Sequence, residues 1–165
     1  MTLPLAALGA LVAALIETSI APELTLAGAQ ADLVFALAVL AAMLIGIEDG
    51  LVWAFLGGLM LDLLIPARPI GATALTLLLV VGLAGLAARV PGPRRTTAVV
   101  AVFVLTFVFH LLLIGIMAVT EGVMLGSLQP FVVLSAAFQN SLIALVAALA
   151  FDALGRRLVA ERADW

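Results

Sequence analysis

The sequence predicts an all-α integral membrane protein, a compact bundle of six transmembrane helices in a single domain over residues 1–165. Three observations predict it. Apolar residues make up 66% of the chain and charged residues only 10%, where a soluble domain carries roughly a quarter charged residues. The mean hydropathy is +1.37, and the apolar runs recur along the whole length, broken by short links that carry Pro, Gly or charge. With six crossings, Arg89, Arg94, Arg95, Arg156, Arg157 and Arg162 fall on one side and Arg68 alone on the other. By the positive-inside rule that side, with both termini, is cytoplasmic.

The pI near 4.9 and net charge of −3 matter less than where the charges sit, because they lie in the links. The chain has no Cys, which removes a disulfide framework, a thiolate metal site and a cysteine nucleophile.

The first run, Leu3 to Ile20, carries Ala6, Ala10, Ala14 and Thr18 at intervals of four. Ala27-Gly28-Ala29 has the form of a signal cleavage site, but Met1-Thr2 lacks the basic start of a signal and the run exceeds the usual core of about 7–15 residues. The run therefore reads as the first transmembrane helix, ended by Pro22, with Glu23 to Gln30 as a polar link.

Leu33 to Ile47 and Gly50 to Ile65 are separated only by Glu48 and Asp49, so they form a tight hairpin. Each is short, roughly 23 Å against a hydrocarbon core of about 30 Å, and full spanning is expected over a re-entrant pair. Within the second of them Gly50, Ala54 and Gly58 recur every four residues, with Asp62 next in the row. Small residues in such a row let helix backbones approach closely in lipid, so the row reads as a packing seam ending in a carboxylate. It is expected to face the bundle itself. The Ala6, Ala10, Ala14 row, by contrast, is expected to face lipid and to receive a partner.

Pro66-Ala67-Arg68-Pro69 cannot continue a helix. Ile70 to Ala88 is the fourth run, with Gly71, Gly82 and Gly85 on one face as further packing positions. A basic, helix-breaking loop spans Arg89 to Arg95; it reads as a topology determinant touching anionic headgroups, not a nucleic-acid patch. Ala98 to Val119 and Phe131 to Leu154 are the last two runs.

Intramembrane polar residues are the candidate functional groups. Glu17 and Asp62 lie at matched depth toward the outer surface, about 21 Å and about 18 Å along their helices. Asp62 is expected to face Arg68 or the amide-rich start of the fourth helix, where negative charge is favoured. His110, Gln139 and Asn140 fall near the midplane, so His110 is expected to hydrogen-bond Gln139 or Asn140 across helices five and six. Phosphate-loop, metal-spacing and nucleophile-elbow signatures are missing, and the expected reading is non-enzymatic, with no cofactor, metal, nucleic acid or small-molecule substrate.

Taken in order, Glu17-Thr18-Ser19-Ile20-Ala21-Pro22, Ala31-Asp32-Leu33, Gly46 and Gly50, Gly57 to Leu64 with Leu61-Asp62-Leu63-Leu64, Pro69-Ile70-Gly71, Gly82-Leu83-Ala84-Gly85, Asn140 and Arg156-Arg157 resemble the rod shape-determining MreD family. The resemblance covers most of the chain, departing at Ala31, where the family tends to have Pro, and at Glu17, where a neutral amide is common. It implies a membrane subunit of the bacterial elongation machinery in the cytoplasmic membrane, with MreC, MreB, RodA and the elongation-specific penicillin-binding protein as partners. The alternative is the substrate-binding membrane subunit of an energy-coupling-factor transporter, also a compact six-helix protein. The alanine row is similar to that family's docking surface, but the short outer links hold no Trp or Tyr for a vitamin pocket.

Overall fold

The computed structural model describes residues 3–20, 23, 25–26, 28–66, 68–122 and 129–163, with no account of the side chains of 3, 152 and 154–163. Pro22, Ala27, Ala67 and Trp165, and the side chains of Arg156, Arg157 and Arg162, lie outside this description.

The described residues form six α-helices: α1 Leu3–Ser19, α2 Leu33–Leu40, α3 Ile47–Leu64, α4 Ala72–Ala87, α5 Arg94–Glu121 and α6 Pro130–Ala163. A π-helical turn, Ala41–Ile45, prolongs α2. Among the described residues there is no strand beyond one isolated bridge between Leu26 and Ala29. Arg94–Glu121 and Pro130–Phe151 are long and apolar enough to cross a membrane, while Pro4–Ser19, Leu33–Ile45 and Ala72–Ala87 are shorter apolar helices.

The hairpin closes two residues earlier than its charges suggest. Gly46 alone is the link, in extended backbone (φ 168, ψ 156), and its N–H donates to the Ala41 carbonyl at 2.9 Å. Glu48 and Asp49 are not the link but the first turn of α3, where their charge meets the positive end of the helix dipole.

The arrangement is a helix wrapped by an open ring. α2 packs against all five other helices, and the others contact one another in the order α1, α3, α4, α5, α6. Among the described residues α1 and α6 do not meet, so the ring has a gap. The sequence explains the centre: Leu33–Leu40 reads LVFALAVL, apolar all round, and a helix without a polar face belongs where it meets only protein. Val34, Ala36, Ala38 and Val39 are fully buried, and Phe35 stacks on Phe109 of α5 at 5.0 Å between ring centres. The outward faces of the ring are also apolar, with Leu8 and Val12 on α1, Leu75 and Leu79 on α4, and Leu142 and Val146 on α6 exposed. Such a continuous apolar surface needs an apolar solvent or partners to cover it.

Close approach is concentrated on α3. A methyl group on Gly50 would sit 2.5 Å from Ala42 Cβ and 2.7 Å from Ala42 Cα in the π turn. One on Gly58 would sit 2.5 Å from Ala74 Cα of α4, and one on Gly57 would strike Val34 of α2. Ala54 between them is fully buried. At the other end of the α3–α4 pair, a methyl on Gly85 would meet Ile47 Cδ1 at 2.7 Å.

Three expectations are corrected by the packing. Ala6, Ala10 and Ala14 are 1%, 0% and 0% exposed, because α1 lays this face on α3 and α2; the row is interior and offers no free surface to a partner. Gly82 is exposed, and a methyl there would meet nothing within 4 Å, so it is no packing position. Gly71 likewise has open space around it; its role is conformational, supplying the left-handed backbone (φ 94) that starts α4.

Candidate functional site

The polar residues gather at one end of the bundle, where α1 and α3 finish and α2 and α4 start. Neither α2 nor α4 has a side chain of its own capping its first turn. Each is capped instead by a carboxylate from the preceding helix. Glu17 of α1 accepts the Val34 N–H on Oε2 at 2.7 Å. Asp62 of α3, only 3% exposed, accepts three: Gly71 N–H at 2.9 Å and Ala74 N–H at 3.2 Å on Oδ2, and Thr73 N–H at 3.0 Å on Oδ1. These amides are the orphan donors of a helix start, and a buried carboxylate facing them is stabilised by hydrogen bonds and by the helix dipole. Arg68 does not turn to Asp62 in this arrangement; its Nη1 donates to Thr73 Oγ1 at 3.2 Å.

A second network centres on Asp32, immediately before α2. Its N–H donates to Asn140 Oδ1 at 2.7 Å, and Asn140 Nδ2 donates back to Asp32 Oδ2 at 3.0 Å. Asn140 is fully buried and also donates to Thr106 Oγ1 of α5 at 3.3 Å. His110 stands one turn further along α5. Its Nδ1 is 3.0 Å from the Thr106 carbonyl, which can only accept, and its Nε2 lies 3.8 Å from Asp32 Oδ2. The expected direct bond from His110 to Gln139 or Asn140 is therefore replaced by a shared neighbour: His110 and Asn140 both converge on Asp32 and Thr106. Gln139 faces elsewhere. Its Nε2 donates to the Ala29 carbonyl at 3.3 Å, while Ser135 donates to the Leu26 carbonyl at 2.8 Å, so α6 pins the α1–α2 link.

Asp32 is the residue that sequence reasoning missed as a site member. Its one signal is an acidic residue directly before an apolar helix; its partner stands 108 positions away.

Between the two networks lies a cavity of about 330 Å³, lined by Glu17, Thr18, Gln30, Asp32, Leu64 and Arg68 among others. The Glu17 carboxylate also faces the Leu33 N–H and the positive charge of Arg68, and Asp32 Oδ2 is engaged by Asn140 as described. Among those residues no three His, Asp or Glu come together as a metal site. The arrangement can cap helices, tie the loops to α6 and present carboxylate and guanidinium groups to a small polar ligand.

A different concavity opens on the gap in the ring. Leu37, Leu40 and Leu44 from α2 and its π turn, Trp53 of α3, and Ala147 and Phe151 of α6 line an apolar groove of about 190 Å³. The Trp53 indole N–H beside it is buried without a hydrogen-bond partner among the described residues. No protein-family model, characterised protein or solved structure matches this chain.

Proposed function

We propose that this chain is a non-enzymatic membrane subunit of the bacterial cell-elongation machinery, of the MreD kind. In this reading it crosses the cytoplasmic membrane six times with both termini inside, binds MreC, and through it organises MreB, RodA and the elongation-specific penicillin-binding protein. One observation carries the reading: the helical ring is open between α1 and α6, leaving an apolar groove over the central helix, where Leu37 and, in the π turn, Leu44 are only partly covered. A protein whose work is assembly needs such a place, and an apolar helix of a partner would complete the ring. The ordered resemblance from Glu17 to Arg157 and the arginine asymmetry support the same reading.

The absence of Cys makes the test clean. Single Leu37→Cys and Leu44→Cys variants, expressed in native membranes, are expected to crosslink to MreC, whereas Leu79→Cys on the outward face of α4 is not. Equal adducts from all three positions, or none from the groove, would overturn the docking face.

The second reading, the substrate-binding membrane subunit of an energy-coupling-factor transporter, is favoured by the cavity at Glu17, Asp32 and Arg68, whose volume falls in the range of small-molecule pockets. Copurification from native membranes separates the two, because this reading requires an ATP-binding cassette pair in place of MreC.

A further inference from the structure

We infer that the cavity between α1, the start of α2 and the α3–α4 link is a binding site for a small zwitterion, a molecule carrying a primary ammonium and an acidic oxygen group a few atoms apart. The inference rests on the six-span reading only for the side of the membrane from which the ligand arrives.

The lining supplies charges of both signs in fixed places. Glu17 is held by the backbone amides of Val34 and Leu33 and Asp32 by Asn140, so neither carboxylate can swing away, and both line the cavity. Arg68 is anchored through Nη1 to Thr73 and lines the same space. Glu17 and Asp32 repel each other across the cavity, and Arg68 sets one positive charge against the two carboxylates; an ammonium group with three N–H donors supplies the second. A simple cation would leave the guanidinium facing a like charge, whereas a ligand that also carries a carboxylate or phosphate gives the planar guanidinium of Arg68 a hydrogen-bonded partner of opposite charge. Thr18 and Gln30 add neutral polar groups at the rim, and Leu64 and Ile65 add an apolar wall. The space of about 330 Å³ stands at the small end of small-molecule pockets, enough for a phosphoethanolamine or an amino acid and too little for a folded peptide.

This chemistry has two sources, a soluble metabolite or the headgroup of an aminophospholipid in the surrounding leaflet. The full-length protein in phosphatidylcholine nanodiscs is titrated with O-phosphoethanolamine, with O-phosphocholine as the control that lacks N–H donors, and melting is followed by intrinsic fluorescence. A parallel preparation replaces part of the phosphatidylcholine by phosphatidylethanolamine. A saturable rise in melting temperature with free O-phosphoethanolamine, and not with O-phosphocholine, supports the site with a soluble ligand. A rise only with phosphatidylethanolamine supports it with a lipid headgroup. No rise in either arm overturns it.

Glu17→Gln and Arg68→Gln are expected to weaken the response at least about tenfold, because each removes a charge-assisted contact, while Glu121→Gln, at an exposed residue that does not line the cavity, leaves it unchanged. Since Glu17 also caps α2, a second readout avoids stability altogether. Thr18→Cys places a thiol at the rim of a Cys-free chain, and the ligand that raises the melting temperature must slow its labelling by a maleimide. Unchanged labelling would mean that the thermal effect comes from elsewhere and would reject the site.

Discussion

Asp32 and Asn140 exchange two hydrogen bonds across 108 positions of sequence, backbone N–H to amide oxygen at 2.7 Å and amide N–H to carboxylate at 3.0 Å. The pair ties the start of the central helix to the last helix of the ring. Asn140→Ala removes both bonds and the one to Thr106, leaving the Asp32 N–H without its partner and the half-buried carboxylate facing only His110 at 3.8 Å. We expect a loss of about 1–3 kcal/mol in reversible unfolding by denaturing detergent. A variant as stable as the parent would show that water replaces Asn140 there.

The two tertiary caps respond differently to conservative change. Asp62→Asn keeps one carbonyl oxygen for the amides of α4, whereas Asp62→Ala leaves Gly71, Thr73 and Ala74 N–H without it. Stability is expected to fall in the order parent, Asp62→Asn, Asp62→Ala, the last by roughly 0.5–2 kcal/mol as for lost helix caps. Glu17→Gln, which supports a single bond, is expected to cost less than Asp62→Asn. Melting curves of the four proteins in one detergent decide the order.

Glycines within one bundle are not equivalent. Gly58→Ala would press a methyl against the backbone of Ala74 at 2.5 Å, and overpacking of this kind costs about 1–3 kcal/mol; Gly58→Leu should lower the yield of folded protein further. Gly82→Ala meets open space and is expected to be neutral or slightly stabilising, since Ala is the better helix former. Size-exclusion profiles of the three variants, read for monodisperse yield, test the contrast. A poor Gly82→Ala and a sound Gly58→Ala would reverse the assignment.

Topology is open to direct measurement. Reporters fused after Trp165 or inserted between Arg89 and Arg95 are expected to be active only as cytoplasmic fusions, and one inserted between Glu121 and Pro130 only as an external fusion. An external signal from the Arg89–Arg95 loop would remove the six-span orientation.

Much of this fold is legible in the chain because its signals are local. Pro66 and Pro69 break helices where they stand, the spacing of Gly50, Ala54 and Gly58 marks a seam, and Asp62 lies within a dozen residues of the amides it caps. The alanine row of α1 shows where local reading fails. Small residues at intervals of four announce close packing, but they do not say whether the facing helix belongs to the same chain. Nor does the depth of His110 and Asn140 reveal that a third residue, Asp32, stands between them; that contact depends on how α2 threads the ring. The link at Glu48 and Asp49 was obscured for another reason. Charge marks a helix's first turn as readily as a loop.

The gap between α1 and α6 also bears on how the chain is made. A ribosome delivers α1, α2 and α3 first, and α2 then holds only part of its final surroundings. The remaining wall arrives with α4, α5 and α6, each adding beside its predecessor and against the same central helix. Since the first helix never has to find the last, these contacts allow assembly in the order of synthesis, with only the α1–α2 link left to be tied down by α6.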